Sequence, residues 1–129
     1  MSIRQTILVA DDEPSIRGWL IEQLEDSYDV LAAEDGVEAV YLYERNIEHV
    51  AAIVTDLEMP RLNGKLLIEW VHHIRPRLPI IMMSGSISNI ELEEVLQSPA
   101  VSFLTKPFNL SQLEAQLHRA LEGRLDEAA

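Results

Sequence analysis

The sequence predicts an α/β fold: a doubly wound parallel sheet of five strands with five helices. Short apolar runs alternate with longer segments of helical periodicity along the 129 residues, which is the pattern of parallel strands joined by crossover helices. An apolar share of 47% beside 25% charged residues is typical of a globular core under a solvated surface. Because a second core would need roughly another 100 residues, we expect a single domain over 1–129 with no appended effector.

The predicted strands are short runs of β-branched and other apolar residues, bounded by turn formers. They fall at 7–10, 28–32, 51–55, 80–83 and 101–105. The predicted helices fall at 14–24, 37–43, 66–74, 90–96 and 110–121. In the last of these, Leu113, Leu117 and Leu121 form one apolar stripe, and we expect the tail at 122–129 to fray.

Charge and hydropathy restrict the partners that the chain can have. The formal net charge of −12 would repel nucleic acid and anionic membrane surfaces. The longest apolar runs are far shorter than the roughly 20 residues of a membrane span, and the first residues lack a basic segment followed by an apolar one. We therefore expect a cytoplasmic protein without direct contact to nucleic acid or membrane.

The absence of cysteine restricts the chemistry in the same way. It excludes disulfides, thiolate zinc sites and cysteine nucleophiles. Oxygen and imidazole groups remain as metal ligands, and Mg²⁺ is the natural ion for oxygen ligands.

Polar side chains stand at the ends of four predicted strands. Asp11 and Asp12 follow the first strand, Asp56 the third, Ser84 the fourth and Lys106 the fifth. In a doubly wound sheet, ligands bind in a crevice outside the carboxyl ends of the strands. We therefore expect these side chains to meet in that crevice.

Together these residue types predict a phosphoryl-transfer site. Three carboxylates in one crevice repel each other unless a cation holds them, and Mg²⁺ bound through one or two carboxylates, waters and phosphate oxygens suits that arrangement. The Lys106 ammonium can neutralise a carboxylate or an incoming phosphate, and Ser84 offers a hydroxyl. A carboxylate nucleophile with these partners can accept a phosphoryl group.

Each residue also has an ordinary structural interpretation. Asp11 or Asp12 could cap the first helix, Asp56 could be a turn residue, and Lys106 could be a solvated strand end. All of them falling at matching strand ends favours the phosphoryl site.

The order of these motifs closely resembles that of response-regulator receiver domains in two-component signalling, including the chemotaxis regulators. The residues that carry the resemblance are Asp11-Asp12, Asp56-Leu57-Glu58-Met59-Pro60, Met83-Ser84-Gly85 and Lys106-Pro107-Phe108. The resemblance covers nearly the whole chain and implies the flavodoxin-like strand order 2-1-3-4-5.

The resemblance assigns the phosphoacceptor and the metal ligands. It makes Asp56 the phosphoacceptor, and it makes Asp12, Asp56 and the main-chain carbonyl of Glu58 the ligands of Mg²⁺. Asp11 would assist through a water.

The resemblance also implies a switch. Lys106 would bind the phosphoryl oxygens, Ser84 would move toward them, and Phe103 would take the aromatic switch position. The face formed by the predicted helix 90–96, the fifth strand and the last helix would then change. Other proteins would bind to this face.

The implied function is a phosphorelay switch that takes its phosphoryl group from a sensor histidine kinase or phosphotransfer protein and signals to a downstream protein effector. It would catalyse only its own phosphorylation and slow autodephosphorylation, so we do not expect a turnover enzyme. Residues 98–101 lack the Gly-Ala-Asp-Asp-like stretch of DNA-binding members that dimerise through their last helices, so we expect a monomer or weak dimer.

Two alternatives stay open at this point. One is a pseudo-receiver, a binding module that signals without phosphate. The other is a phosphohydrolase of the haloacid-dehalogenase type. That family requires the motif Asp-x-Asp after its first strand, whereas the corresponding residues here, Asp56-Leu57-Glu58, follow the third strand.

Overall fold

A computed structural model of the chain describes residues 4–85 and 98–128, with side chains up to Glu122. In chain order its elements are β1 (Thr6–Ala10), α1 (Pro14–Leu24), β2 (Asp29–Ala33), α2 (Gly36–Arg45), β3 (Val50–Asp56), α3 (Gly64–Ile74), β4 (Ile80–Ser84), β5 (Val101–Thr105) and a C-terminal helix (Leu110–Ala128). The predicted helix at 90–96 lies outside the described residues. The other four predicted helices are present.

The strands form one parallel sheet in the order β2-β1-β3-β4-β5, which confirms the predicted sheet and strand order. Asp56 at the end of β3 lies opposite Met83, and Ser84 at the end of β4 lies opposite Thr105. Because the strands are parallel and in this register, the residues that follow them meet at one edge of the sheet.

Helices cover both faces of the sheet, and successive residues of a strand point to opposite faces. Leu8 and Ile53 belong to a buried cluster that includes Leu67 of α3. Ile7 belongs to a second cluster, which includes Leu117 of the C-terminal helix. Every residue of β3 and β4 is buried, as expected for central strands packed on both sides.

Short polar side chains cap the starts of three helices. Asp35 accepts the N–H of Glu38 at 2.8 Å at the start of α2, and Asn63 caps α3 in the same way at 2.9 Å. Asn109 and Gln112 exchange side-chain to backbone hydrogen bonds at the start of the C-terminal helix. This reciprocal pair satisfies two N–H groups that have no partner within the helix.

The C-terminal helix is longer than the sequence predicts. It continues from the predicted end at Leu121 to Ala128. Glutamate, arginine, leucine and alanine dominate this segment, and all four favour helix. Within the described part of the chain, no helix has the length and apolar character to cross a membrane.

Gly64 lets α3 begin directly against the end of β3. A Cβ at this position would collide with the main-chain oxygen of Asp56 and would lie 2.9 Å from the Cα of Leu57. The Gly64 N–H donates to the carbonyl of Leu57 at 2.8 Å. Any side chain here would therefore push the helix away from the strand end.

We expect Gly64→Ala to lower the free energy of unfolding by about 1–3 kcal/mol, because the added methyl group overpacks against backbone that cannot retreat. Gly18→Ala is the matched control, since a Cβ at Gly18 in α1 meets nothing within 4 Å. There the substitution should stabilise the helix by about 0.5–1 kcal/mol. Urea unfolding measures both values, and equal effects at the two positions would contradict this account.

Candidate functional site

Three aspartates meet at the carboxyl edge of the sheet. One carboxylate oxygen each from Asp11, Asp12 and Asp56 lies within 4.8 Å of the other two. Asp11 is completely buried and Asp56 is 8% exposed, whereas Asp12 is exposed to solvent. The loop after β1 and the end of β3 thus bring the three side chains together, as the strand-end argument expects.

Asp11 is held from several sides. Its Oδ1 accepts the N–H of Glu13 at 2.9 Å, and its own N–H donates to the carbonyl of Ala33 on the neighbouring strand at 3.1 Å. The N-cap position of α1 is Glu13, which makes no side-chain capping bond. Neither Asp11 nor Asp12 therefore occupies the cap position that the structural alternative requires.

Lys106 bridges two of the carboxylates. Its Nζ lies 3.2 Å from Oδ2 of Asp11 and 3.4 Å from Oδ2 of Asp56. The backbone N–H of Lys106 donates to the carbonyl of Ser84 at 2.8 Å, which fixes the start of the side chain beside β4. The ammonium thus reaches across the strand ends, as predicted from the sequence.

The close approach of these charged groups shifts the pKa values of Lys106 and Asp56. Burial opposes the charged form of Lys106, but the facing carboxylates of Asp56 and Asp11 outweigh burial and raise the pKa of the ammonium. Burial raises the pKa of Asp56, and Asp11 adds to the rise while Lys106 offsets part of it. One ammonium therefore neutralises three carboxylates only in part.

The cluster opens into a cavity that fits a hydrated divalent ion. The cavity has a volume of about 450 Å³ and is lined by Asp12, Glu13, Asp56, Glu58, Ser84, Gly85 and Lys106. Its carboxylate, carbonyl and hydroxyl oxygens are the ligand atoms that Mg²⁺ prefers. The remaining negative charge and the oxygen donors both suit Mg²⁺ here.

Glu58 and Ser84 lie beside the aspartate cluster. The N–H of Glu58 donates to the carboxylate of Asp56, which brings the main chain of the following loop up to the cluster. Ser84 is the last residue of β4 and is 3% exposed. Both residues line the cavity that contains Asp56.

Phe103 lies further along the sheet. It is half-buried on β5, opposite Met82, and packs against the cluster that α2 and α3 cover. Its carbonyl accepts a hydrogen bond of 2.6 Å from Nε2 of Gln116 on the C-terminal helix. The side chain of Phe103 thus lies on the face of the sheet that α2 and α3 cover, while its main chain is bonded to the C-terminal helix.

Sequence reasoning missed two residues that support this region. Arg17 of α1 donates to the main-chain carbonyl of Asp11 at 2.9 Å. Gln116 donates to the hydroxyl of Ser102 at 3.0 Å as well as to Phe103. The sequence gives no signal for either contact, because one reaches a main-chain carbonyl outside the helix and the other starts from an isolated glutamine in an amphipathic helix.

Comparison with known sequences identifies the family. The sequence model of the family described as "Response regulator receiver domain" matches residues 7–118. The "Probable transcriptional regulator ycf27" of Porphyridium aerugineum is 35% identical over 127 residues, which cover 98% of this chain and 51% of that protein. "Histidine kinase P4" of Formosa agariphila is 27% identical over 124 residues, which cover 95% of this chain and 9% of that protein. The chain thus spans about half the length of the first relative and a small part of the second.

Solved structures show the same fold over nearly the same length. The chemotaxis protein CheY4 of Vibrio cholerae has a TM-score of 0.84 and 30% identity, covering 92% of this chain and 100% of that chain. A CheY-like receiver domain protein from Methanospirillum hungatei has a TM-score of 0.87 and 26% identity, covering 97% and 99%. From the family match over 7–118 and these likenesses, the chain belongs to the response regulator receiver domain family of two-component signalling.

Proposed function

We propose that the chain is a phosphorylation-dependent signalling switch in which Asp56 accepts a phosphoryl group from a sensor histidine kinase or phosphotransfer protein. The observation that carries this proposal is the contact of Lys106 with both Asp11 and Asp56, at 3.2 and 3.4 Å, beside Asp12 in one open cavity. Such a cluster pairs a nucleophile with a fixed cation.

In the proposed reaction, a carboxylate oxygen of Asp56 forms a bond to phosphorus as the bond from phosphorus to the donor imidazole nitrogen breaks. The Lys106 ammonium then contacts the phosphoryl oxygens, where the charge of the transition state is concentrated. Asp12, Asp56 and the main-chain carbonyl of Glu58 would hold Mg²⁺, with Asp11 acting through a water. When bound, the ion supplies further neutralisation of those oxygens.

The chain modifies itself and does not turn over a separate substrate. We infer self-phosphorylation and slow autodephosphorylation without turnover of small phosphate esters. The nucleophile position supports this, because Asp56 follows β3 whereas haloacid-dehalogenase enzymes use the first strand. A phosphate-independent pseudo-receiver is disfavoured because Asp12, Asp56, Ser84 and Lys106 share one cavity.

The output is contact with another protein. Phosphate on Asp56 draws Ser84 toward it, which makes room for Phe103 and changes the face formed by β5 and the C-terminal helix. The predicted helix at 90–96, which the resemblance assigns to the same face, lies outside the described residues. The net charge of −12 opposes binding to DNA, and phosphorylation adds about −1.5 to −2 of further charge. A monomer or weak dimer in the cytoplasm, where it meets kinase and effector, fits this role.

Asp56→Asn should abolish labelling by acetyl phosphate and Mg²⁺, because the amide is not a nucleophile for phosphorus. Asp26→Asn is the control and should label fully, because Asp26 lies in the exposed turn before β2, at the opposite edge of the sheet from the cluster. Intact-protein mass spectrometry counts the phosphoryl groups, and we expect one per chain. Full labelling of Asp56→Asn would show that another residue is the acceptor.

Mg²⁺ should bind weakly without phosphate, because an open site keeps most of the ion's waters. Asp12→Ala should remove the binding seen by isothermal titration calorimetry, since Asp12 is the exposed carboxylate of the cluster. Asp29→Ala, on the exposed end of β2, should leave it unchanged. An unchanged affinity in Asp12→Ala would refute the assigned metal ligands.

Ser84→Ala should still accept phosphate but should lose most of the change in partner affinity, which is typically about 1–3 kcal/mol for such coupling. Removing the hydroxyl deletes the group that follows the phosphate and leaves the acceptor and Lys106 in place. Affinity for the kinase or effector, measured before and after phosphorylation, reports the loss. A response of normal size in Ser84→Ala would rule out this route to Phe103.

A further inference from the structure

The loop between β3 and α3, residues 57–63, carries the main-chain atoms of Glu58 that the proposed metal site requires. Backbone hydrogen bonds fasten its first residue to β4 and join its two ends to each other. The N–H of Leu57 donates to the carbonyl of Met83 at 3.0 Å, and the N–H of Gly64 donates to the carbonyl of Leu57 at 2.8 Å. The loop therefore leaves the end of β3 and returns to it.

The middle of the loop is held by a side chain that reaches another element. Arg61 has a φ of 69°, in the left-handed region that an arginine rarely adopts. Its Nε and one terminal nitrogen lie 3.0 and 2.8 Å from Oδ2 of Asp35. A backbone conformation of this kind persists only where its surroundings fix it, and the ion pair is such a restraint.

The two carboxylate oxygens of Asp35 bind different partners. Its Oδ1 accepts the N–H of Glu38 as the cap of α2, which leaves Oδ2 for Arg61. The Glu38 N–H and then the Arg61 guanidinium hold the pKa of Asp35 below its usual value against the opposing effect of burial. The side chain of Asp35 is only 9% exposed, so the carboxylate is fixed by both partners.

Backbone packing adds a second contact between the same loop and α2. A Cβ at Gly36, the first residue of α2, would lie 2.6 Å from the Cβ of Leu62 and would collide with its carbonyl oxygen. The loop thus rests on the start of α2 through Leu62 as well as through Arg61. Any change in the position of this helix end would shift the loop.

We propose that the Arg61–Asp35 ion pair is a positioning device for the metal site. It holds the loop that brings the main chain of Glu58 beside Asp12 and Asp56, and it thereby sets the affinity for Mg²⁺. This inference rests on the proposed function. Groups that orient metal ligands from outside the ligand set commonly change metal affinity when they are removed.

A purely structural ion pair would give a different result, so the variants must separate stability from metal affinity. Arg61→Met keeps a long, unbranched side chain at this position but removes the guanidinium. Asp35→Asn keeps a residue that caps helices well and removes the charge. Arg61→Lys keeps the charge but loses the contact through two nitrogens.

Arg75→Met is the matched control. The Arg75 guanidinium donates to the carbonyls of Ile47 and Val50, at 2.8 and 3.1 Å. Val50 is the first residue of β3, so this arginine fastens a loop at the opposite edge of the sheet. Arg75→Met therefore removes as many hydrogen bonds as Arg61→Met does, but it leaves the contacts of the loop at 57–63 unchanged.

The test is isothermal titration calorimetry of the 129-residue chain with magnesium chloride alone, after circular dichroism has shown that each variant is folded. We expect Mg²⁺ affinity to fall about tenfold in Arg61→Met and in Asp35→Asn. Arg61→Lys should fall in between, and Arg75→Met should match the unsubstituted chain. Because both substitutions break one interaction, the double variant should be no weaker than either single variant.

Unchanged Mg²⁺ affinity in folded Arg61→Met and Asp35→Asn would overturn the inference, as would an equal loss in Arg75→Met. Should Arg61→Met fail to fold, Asp35→Asn decides the outcome. Normal metal binding without labelling of Asp56 by acetyl phosphate would overturn the proposed function alone. Absence of Mg²⁺ binding in the unsubstituted chain would overturn both.

Discussion

The pairing of Lys106 with Asp11 and Asp56 is the interaction on which the site depends. Asp11 has no exposed surface and Asp56 has little, so these charges lie largely out of water with few ways to be compensated. Removing one partner of a buried ion pair typically costs about 3–5 kcal/mol, because the remaining charge is left uncompensated. Lys106 therefore makes it possible for the carboxylates to stand together before a metal or a phosphoryl group arrives.

The sheet topology determines why a lysine fills this role. The strand order puts β4 between β3 and β5, so a side chain from β5 must pass the end of β4 to reach Asp56. The four-carbon stem of lysine spans that distance, and its backbone N–H is anchored on Ser84 of β4. Acceptor, hydroxyl and cation thus come from three adjacent strands, and a phosphoryl group on Asp56 would be within reach of the other two.

Much of this arrangement could be predicted from the sequence. The positions of Asp56 and Lys106 follow from one rule, that residues after parallel strands share an edge, and this rule needs only the strand assignments. The contact between Arg61 and Asp35 could not be predicted, because it depends on a left-handed backbone residue and on how a loop lies against a distant helix end. The extension past Leu121 was missed because helix propensity alone is a weak guide to where a helix ends.

The central claim is that Lys106 and a divalent ion share the task of neutralising the aspartates, and Lys106→Met tests it most directly. The free energy of unfolding is measured with and without Mg²⁺ for this variant and for the unsubstituted chain. A ligand at concentration c that binds only the folded state stabilises it by RT ln(1 + c/Kd), so tighter binding at the same Mg²⁺ concentration gives a larger gain. We expect Mg²⁺ to stabilise Lys106→Met more than the unsubstituted chain, because the competing ammonium is gone. An equal or smaller gain in the variant would contradict this account.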